Sequence, residues 1–157
     1  MGEARWLSEE EERSWRALQF MQMAIVAEMS RDLATSSDLS YSEYLVLVGL
    51  TDQADDRLRL TDLAELLGWE QSRLSHLVSR MAARGLVERV RCDSDRRGCF
   101  VVLTELGRHS LDEAAPIHLA SVRRLFFDHL EDSQVRAVGD AAERVLAGLP
   151  ATSARAR

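Results

Sequence analysis

The chain has no lysine, only two cysteines, two prolines and eight glycines in 157 residues. Each scarcity closes some routes. Two cysteines cannot staple a small secreted scaffold, and the C-x6-C spacing of Cys92 and Cys99, without a neighbouring histidine, is not a zinc spacing. They flank an expected hairpin tip, which leaves two readings: small strand residues in a reducing cytosol, or a cross-strand redox pair. Prolines at 116 and 150 alone leave most helical segments uninterrupted. The glycines form neither a G-x-G-x-x-G fingerprint nor a phosphate-binding loop, and no nucleophile elbow is present. His76, His109, His118 and His129 are scattered without metal-ligand spacing. No enzyme activity, cofactor or metal is therefore expected. No apolar run approaches the roughly 18 residues that span a bilayer. The acidic start, with Glu3 and Glu9 to Glu12, does not resemble a secretory or transit signal. A cytoplasmic protein without membrane contact is expected. The absence of lysine, with all 20 basic residues arginine, excludes no fold.

What is present is a chain with 46% hydrophobic residues, enough to build a core without staples. Its net charge of −6 at first argues against nucleic acid, but the distribution argues the other way. Residues 71–108 hold eight arginines against four acids, a local excess of +4, while the remainder carries −10. A basic segment on an acidic body is the footprint of a protein that meets phosphates with one face.

The pattern along the chain is helical with one short hairpin. Ser8 followed by Glu11, and Ser40 followed by Glu43, are capping boxes that open helices. In the first helix Trp15, Leu18, Gln22, Ile25, Met29 and Leu33 follow three- and four-residue spacing. Residues 52–59 read as a polar connection. Leu60–Leu67 reads as a short helix with Thr61 as its cap, and Gly68 ends it. A second helix runs from about Glu70 to Arg84 and closes at Gly85. Two helices joined by a tight glycine-containing turn make a helix-turn-helix. Leu86–Arg91 and Cys99–Leu103 read as strands around a turn at Asp93–Gly98, so the motif carries a wing. Thr104 can cap a further helix reaching about Leu130, and a last one carries Val135 to Leu149. The fold class is mainly α with a small β-hairpin wing (α+β). Residues 40–103 are the expected winged helix-turn-helix domain, 8–36 and 104–149 the dimerisation helices, and 150–157 a disordered tail.

In a helix-turn-helix the second helix enters the major groove and its early residues meet base edges. Its exposed positions here are Gln71, Ser72, Arg73, Ser75, His76, Ser79 and Arg80, while Leu74, Leu77, Val78 and Met81 face inward. Arg73 suits a bidentate contact to guanine, and Ser72, Ser75 and His76 suit bases or phosphate oxygens, with Gln71 beside them in the exposed set. Arg80 and Arg84 suit backbone phosphates. At the wing, Arg96 and Arg97 suit a minor groove, with Asp95 holding the tip in shape. The bland alternatives are a solvated helix face and a plain polar turn. Against the first, no acid stands between Gln71 and Met81.

The segment from Leu60 to Gly107 resembles the MarR (multiple antibiotic resistance regulator) family. The matching stretches are LTDLAELLGWEQSRLSHLVSRMAARGLVER, then DSDRRG, then VLTELG. The family's D-x-R falls on Asp95 and Arg97, and its LT-x-x-G on Leu103, Thr104 and Gly107. Glu70 departs from the pattern, which more often has a small capping residue there. The resemblance implies a homodimeric repressor whose two winged helices read a pseudo-palindrome in double-stranded DNA, with half-site centres roughly 10 base pairs apart. It also implies a small aromatic or phenolic anion as an effector, near Trp15, Arg16 and Tyr44, although these residues read first as core or interface residues. A winged-helix module that binds protein rather than an operator is the alternative.

Overall fold

The computed structural model describes residues 5–53, 55–92 and 95–149, and the side chains of Cys92 and of residues 95–97 lie outside that description. The expected disordered tail, 150–157, falls outside it too. In chain order the elements are α1 (Glu9–Ser36), α2 (Tyr41–Thr51), β1 (Arg57–Arg59), α3 (Leu60–Leu67), α4 (Gln71–Ala83), β2 (Val87–Cys92), β3 (Asp95–Leu103), α5 (Glu105–Leu125) and α6 (Asp132–Gly148). A single 3-10 turn, Phe127–His129, links the last two helices.

Both serine capping boxes form. The Ser8 hydroxyl accepts from the Glu11 amide while the Glu11 carboxylate accepts from the Ser8 amide, and Ser40 and Glu43 repeat the arrangement. The start of α3 differs from expectation. Thr61 does not cap it, because residues 57–59, expected as connection, form β1 and keep the chain extended up to Leu60. Three residues are too few to show alternation, and β1 exists only because β3 offers it an edge: Arg57 pairs with Val102, Leu58 with Val101 and Arg59 with Phe100. The wing is therefore a three-stranded antiparallel sheet ordered β1-β3-β2. The α5 helix is also shorter than its pattern suggested. It runs unbroken past Pro116 but stops at Leu125, where Phe126 leaves helical geometry and packs edge-on against Phe127.

The core lies within the winged domain. Leu47 and Leu50 of α2, Leu63 of α3, Leu74, Val78 and Met81 of α4 and Val101 of β3 are fully buried. Leu111 and Ala114 of α5 join them. Burial of this kind is worth about 1.5–3 kcal/mol for each large aliphatic side chain. The flanking helices are different. Of the α1 stripe only Met29 and Leu33 are buried, and α6 buries nothing. Trp15 is 54% exposed, Phe20 and Met23 68% and Val145 63%.

Side-chain pairs tie the elements at two further points. Arg84, at the end of α4, donates to the buried Glu43 carboxylate (2.7 Å) and to the Asp38 carbonyl (2.6 Å). It is thus a strut between α4 and the start of α2, a structural role that its reading as a phosphate contact did not include. Between α1 and α5, Asp32 accepts from Ser121 and from Arg124.

His118 of α5 lies against Tyr44 and Tyr41, with ring centroids 4.5 and 6.2 Å away, and its buried Nδ1 has no hydrogen-bond partner among the described residues. Burial holds its pKa below the ordinary histidine value of 6.5. The unfolded chain therefore takes up a proton that the folded site resists. Stability should be complete above the ordinary histidine pKa and decline as the pH falls through it. Denaturant melts at about pH 7.5 and about pH 5 should show this decline. His118→Phe should remove part of it, and an unchanged pH profile in that variant would reassign the effect.

Candidate nucleic-acid interface

The α4 helix presents two faces. Leu74, Leu77, Val78 and Met81 are buried, as their spacing required, while Gln71, Ser72, Arg73, His76, Ser79 and Arg80 are exposed and Ser75 is half-buried. Glu70 is the N-cap residue, its side chain makes no capping bond, and the first turn holds no acid. The amide end of α4 thus keeps its partial positive charge unneutralised from within the helix.

Beside this turn lies an open cleft of about 790 Å³, lined by Arg59, Thr61, Gln71, Ser72, Ser75, Arg89, Arg91, Gly98 and Cys99. It joins the amide end of α4 to the sheet. Three arginines from two strands face it, with hydroxyl and amide groups from α3 and α4, and no carboxylate among the described residues lines it. Arg89 also donates from one end of its guanidinium to Ser79 of α4 (2.7 Å) and from the other to Cys99 Sγ (3.5 Å). It fixes the distance between sheet and helix. Arg57 and Arg59, two apart on β1, both stack on Phe100 of β3, each 5.3 Å from the ring centroid. Arg73 lies over Trp69, 5.2 Å from its centroid.

Gln71, Ser72 and Ser75 therefore meet in one place, with Arg73, His76 and Arg80 on the same exposed helix face. Arg59, Arg89 and Arg91 were not singled out from the sequence. For the last two a signal existed, since alternate arginines on a strand share a face; for Arg59 none did, because β1 itself was not foreseen. Asp95, Arg96 and Arg97 lie on β3, and their expected roles at the wing fall on side chains outside the described set. The two cysteines are not direct cross-strand partners: Cys99 stands opposite Arg91 and Cys92 opposite Asp95. Trp15 and Arg16 are exposed on α1, with Arg16 paired to Glu12 (2.6 Å), whereas Tyr44 is buried in the core against His118. Within one chain the expected effector residues differ in burial, two exposed and one in the core. Among the described residues no group of three or more His, Cys, Asp or Glu could hold a metal. No helix among them is long and apolar enough to cross a membrane.

The same fold recurs in solved structures. Sco3205 from Streptomyces coelicolor, a MarR family transcriptional regulator solved in complex with DNA, is 36% identical to this chain. The match covers 96% of this chain and 95% of that one, with a TM-score of 0.87. The chain belongs to the MarR family. AbsC, another MarR family regulator from Streptomyces coelicolor, is 37% identical over 90% of this chain and 95% of its own, with a TM-score of 0.81. The sequence profile described as MarR family matches residues 37–98, from the approach to α2 to the wing. The HTH-type transcriptional repressor YetL of Bacillus subtilis is 29% identical over 110 residues, which is 68% of this chain and 66% of that protein. MarR proteins are transcriptional regulators, so the family places this chain among regulators of transcription. The basic cleft lies between α4 and the sheet.

Proposed function

We propose that the protein is a homodimeric repressor that binds a pseudo-palindromic operator in double-stranded DNA and has no catalytic role. The observation that carries this reading is the arginine-lined, carboxylate-free cleft beside the amide end of α4, on a chain whose net charge is −6. Such a local field attracts phosphate where the rest of the surface repels it. Gln71, Ser72, Arg73, Ser75 and His76 then face base edges, and Arg59, Arg80, Arg89 and Arg91 the phosphates. The minor-groove contacts expected of Arg96 and Arg97, with Asp95 in support, fall on side chains outside the described residues. That Sco3205, 36% identical, was solved with DNA supports an operator over a protein partner for this domain.

The dimer rests on α1 and α6. A helix such as α6, which buries no residue in its own chain, is marginal in water, and packing stabilises it. Residues 8–36 and 104–149 supply that packing from a second copy, leaving 40–103 as the reading head. Trp15 and Arg16 offer an aromatic face and a cation beside the dimer helices, a site for a small aromatic or phenolic anion that releases the operator.

The test is selection of bound duplexes from random DNA by the full chain, with sedimentation of the free protein. Two inverted half-sites with centres about 10 base pairs apart, and a dimeric particle, are expected. Binding should weaken steeply with salt, because phosphate contacts release counterions. A monomer, or a pool without an enriched palindrome, overturns the proposal.

A further inference from the structure

Trp69 occupies the turn of the helix-turn-helix, between the end of α3 and the N-cap of α4. Gly68 precedes it with φ +64, and the Trp69 amide closes α3 by donating to the Ala64 carbonyl (2.9 Å). The indole is half-buried and packs against the core, so its position is fixed by the turn and not by any partner molecule. Over this fixed ring lies the guanidinium of Arg73.

The neighbour that Arg73 does not use matters as much. Glu70 stands three residues before it, a spacing at which opposite charges commonly pair on a helix. No such pair forms, and no carboxylate among the described residues binds Arg73. An arginine engaged by a carboxylate has its N–H edge occupied. One that lies over an aromatic ring can use its face for the ring and keep its edge donors for a planar acceptor pair such as guanine O6 and N7. Holding the long side chain in one place also removes rotamer freedom that binding must otherwise freeze.

We propose that Trp69 is a positioning residue for base reading: its ring holds Arg73 toward the major groove and out of reach of Glu70. This rests on the reading that Arg73 meets a base edge. The departure from a small capping residue at position 70 then has a counterpart one residue earlier. The acid is tolerated because the ring wins the competition for the guanidinium.

The experiment measures binding of the full chain to the selected operator and to duplexes in which each guanine is replaced singly by adenine. Trp69→Leu, which keeps an apolar side chain in the turn but loses the ring, should lower discrimination at one guanine per half-site by about three- to fivefold. The salt dependence should stay as in wild type, because no phosphate contact is lost. Trp69→Phe, with a weaker ring field, should fall between the two. Adding Glu70→Gln to the Leu variant should restore part of the discrimination, which a merely structural role for Trp69 does not predict. Wild-type discrimination in Trp69→Leu overturns the proposal. Should that variant fail to fold, wild-type discrimination in Trp69→Phe does so alone. Arg73→Ala separates the two levels: if it leaves the preference for guanine unchanged, the base-reading assignment fails and not merely the role of Trp69.

Discussion

Gly107→Ala is expected to destabilise the protein by about 3 kcal/mol or more, roughly 10 °C in melting temperature. A methyl group at that position would stand 2.0 Å from the Leu86 carbonyl oxygen and 2.9 Å from Leu103 Cδ1. The carbonyl has little room to yield. It accepts the Thr104 amide (3.3 Å) and lies 2.9 Å from the Thr104 hydroxyl, which also donates to Gly85. The same hydroxyl accepts the Gly107 amide and caps α5 (3.0 Å). One threonine thus binds the end of α4, the start of β2 and the first turn of α5, and Gly107 is the residue small enough to let them meet. Gly68→Ala is the comparison. Its φ of +64 strains an alanine, but nothing lies within 4 Å of the added methyl, so the cost should be about 1 kcal/mol. Equal melting temperatures for the two variants would refute the close-contact account of Gly107.

The same junction illustrates how much of the fold could be read from the chain. Capping boxes at Ser8 and Ser40, the cap at Thr104 and the glycine ends at Gly68 and Gly85 are local devices, and each sits where its residues implied. The inward face of α4 was legible because helical spacing is set by the backbone alone. What escaped reading depends on partners distant in sequence. The β1 strand needs β3, and the strut role of Arg84 needs Glu43, 41 residues away, to accept it. The α1 stripe was expected as dimerisation surface, and in the chain Met29 and Leu33 are buried while Trp15 and Leu18 stay exposed, since periodicity records an apolar face without saying which chain covers it. The interface followed the same rule: helix α4 was visible, whereas the arginines that complete the cleft needed the sheet to be assembled first.

Replacing Arg59, Arg89 and Arg91 together by alanine should lower operator affinity on the order of a hundredfold at physiological salt. The three side chains line one cleft, yet they come from strands at opposite edges of the sheet. The salt dependence decides what they do. Each phosphate contact contributes about −0.9 to the slope of log affinity against log salt, so the triple variant should flatten that slope by about 2 to 3. The loss should be similar on operator and unrelated DNA, because phosphates are the same everywhere. Arg84→Ala is the internal contrast. It breaks the strut to Glu43 and should reduce stability, while the salt slope stays as in wild type. Arg89 stands between the two cases, since it also bonds Ser79. Arg59 does too, since it stacks on Phe100. Arg91→Ala alone should therefore lower the slope by about 1 without lowering the melting temperature. A triple variant with an unchanged slope would move the phosphate path off this cleft and onto another face of the winged domain.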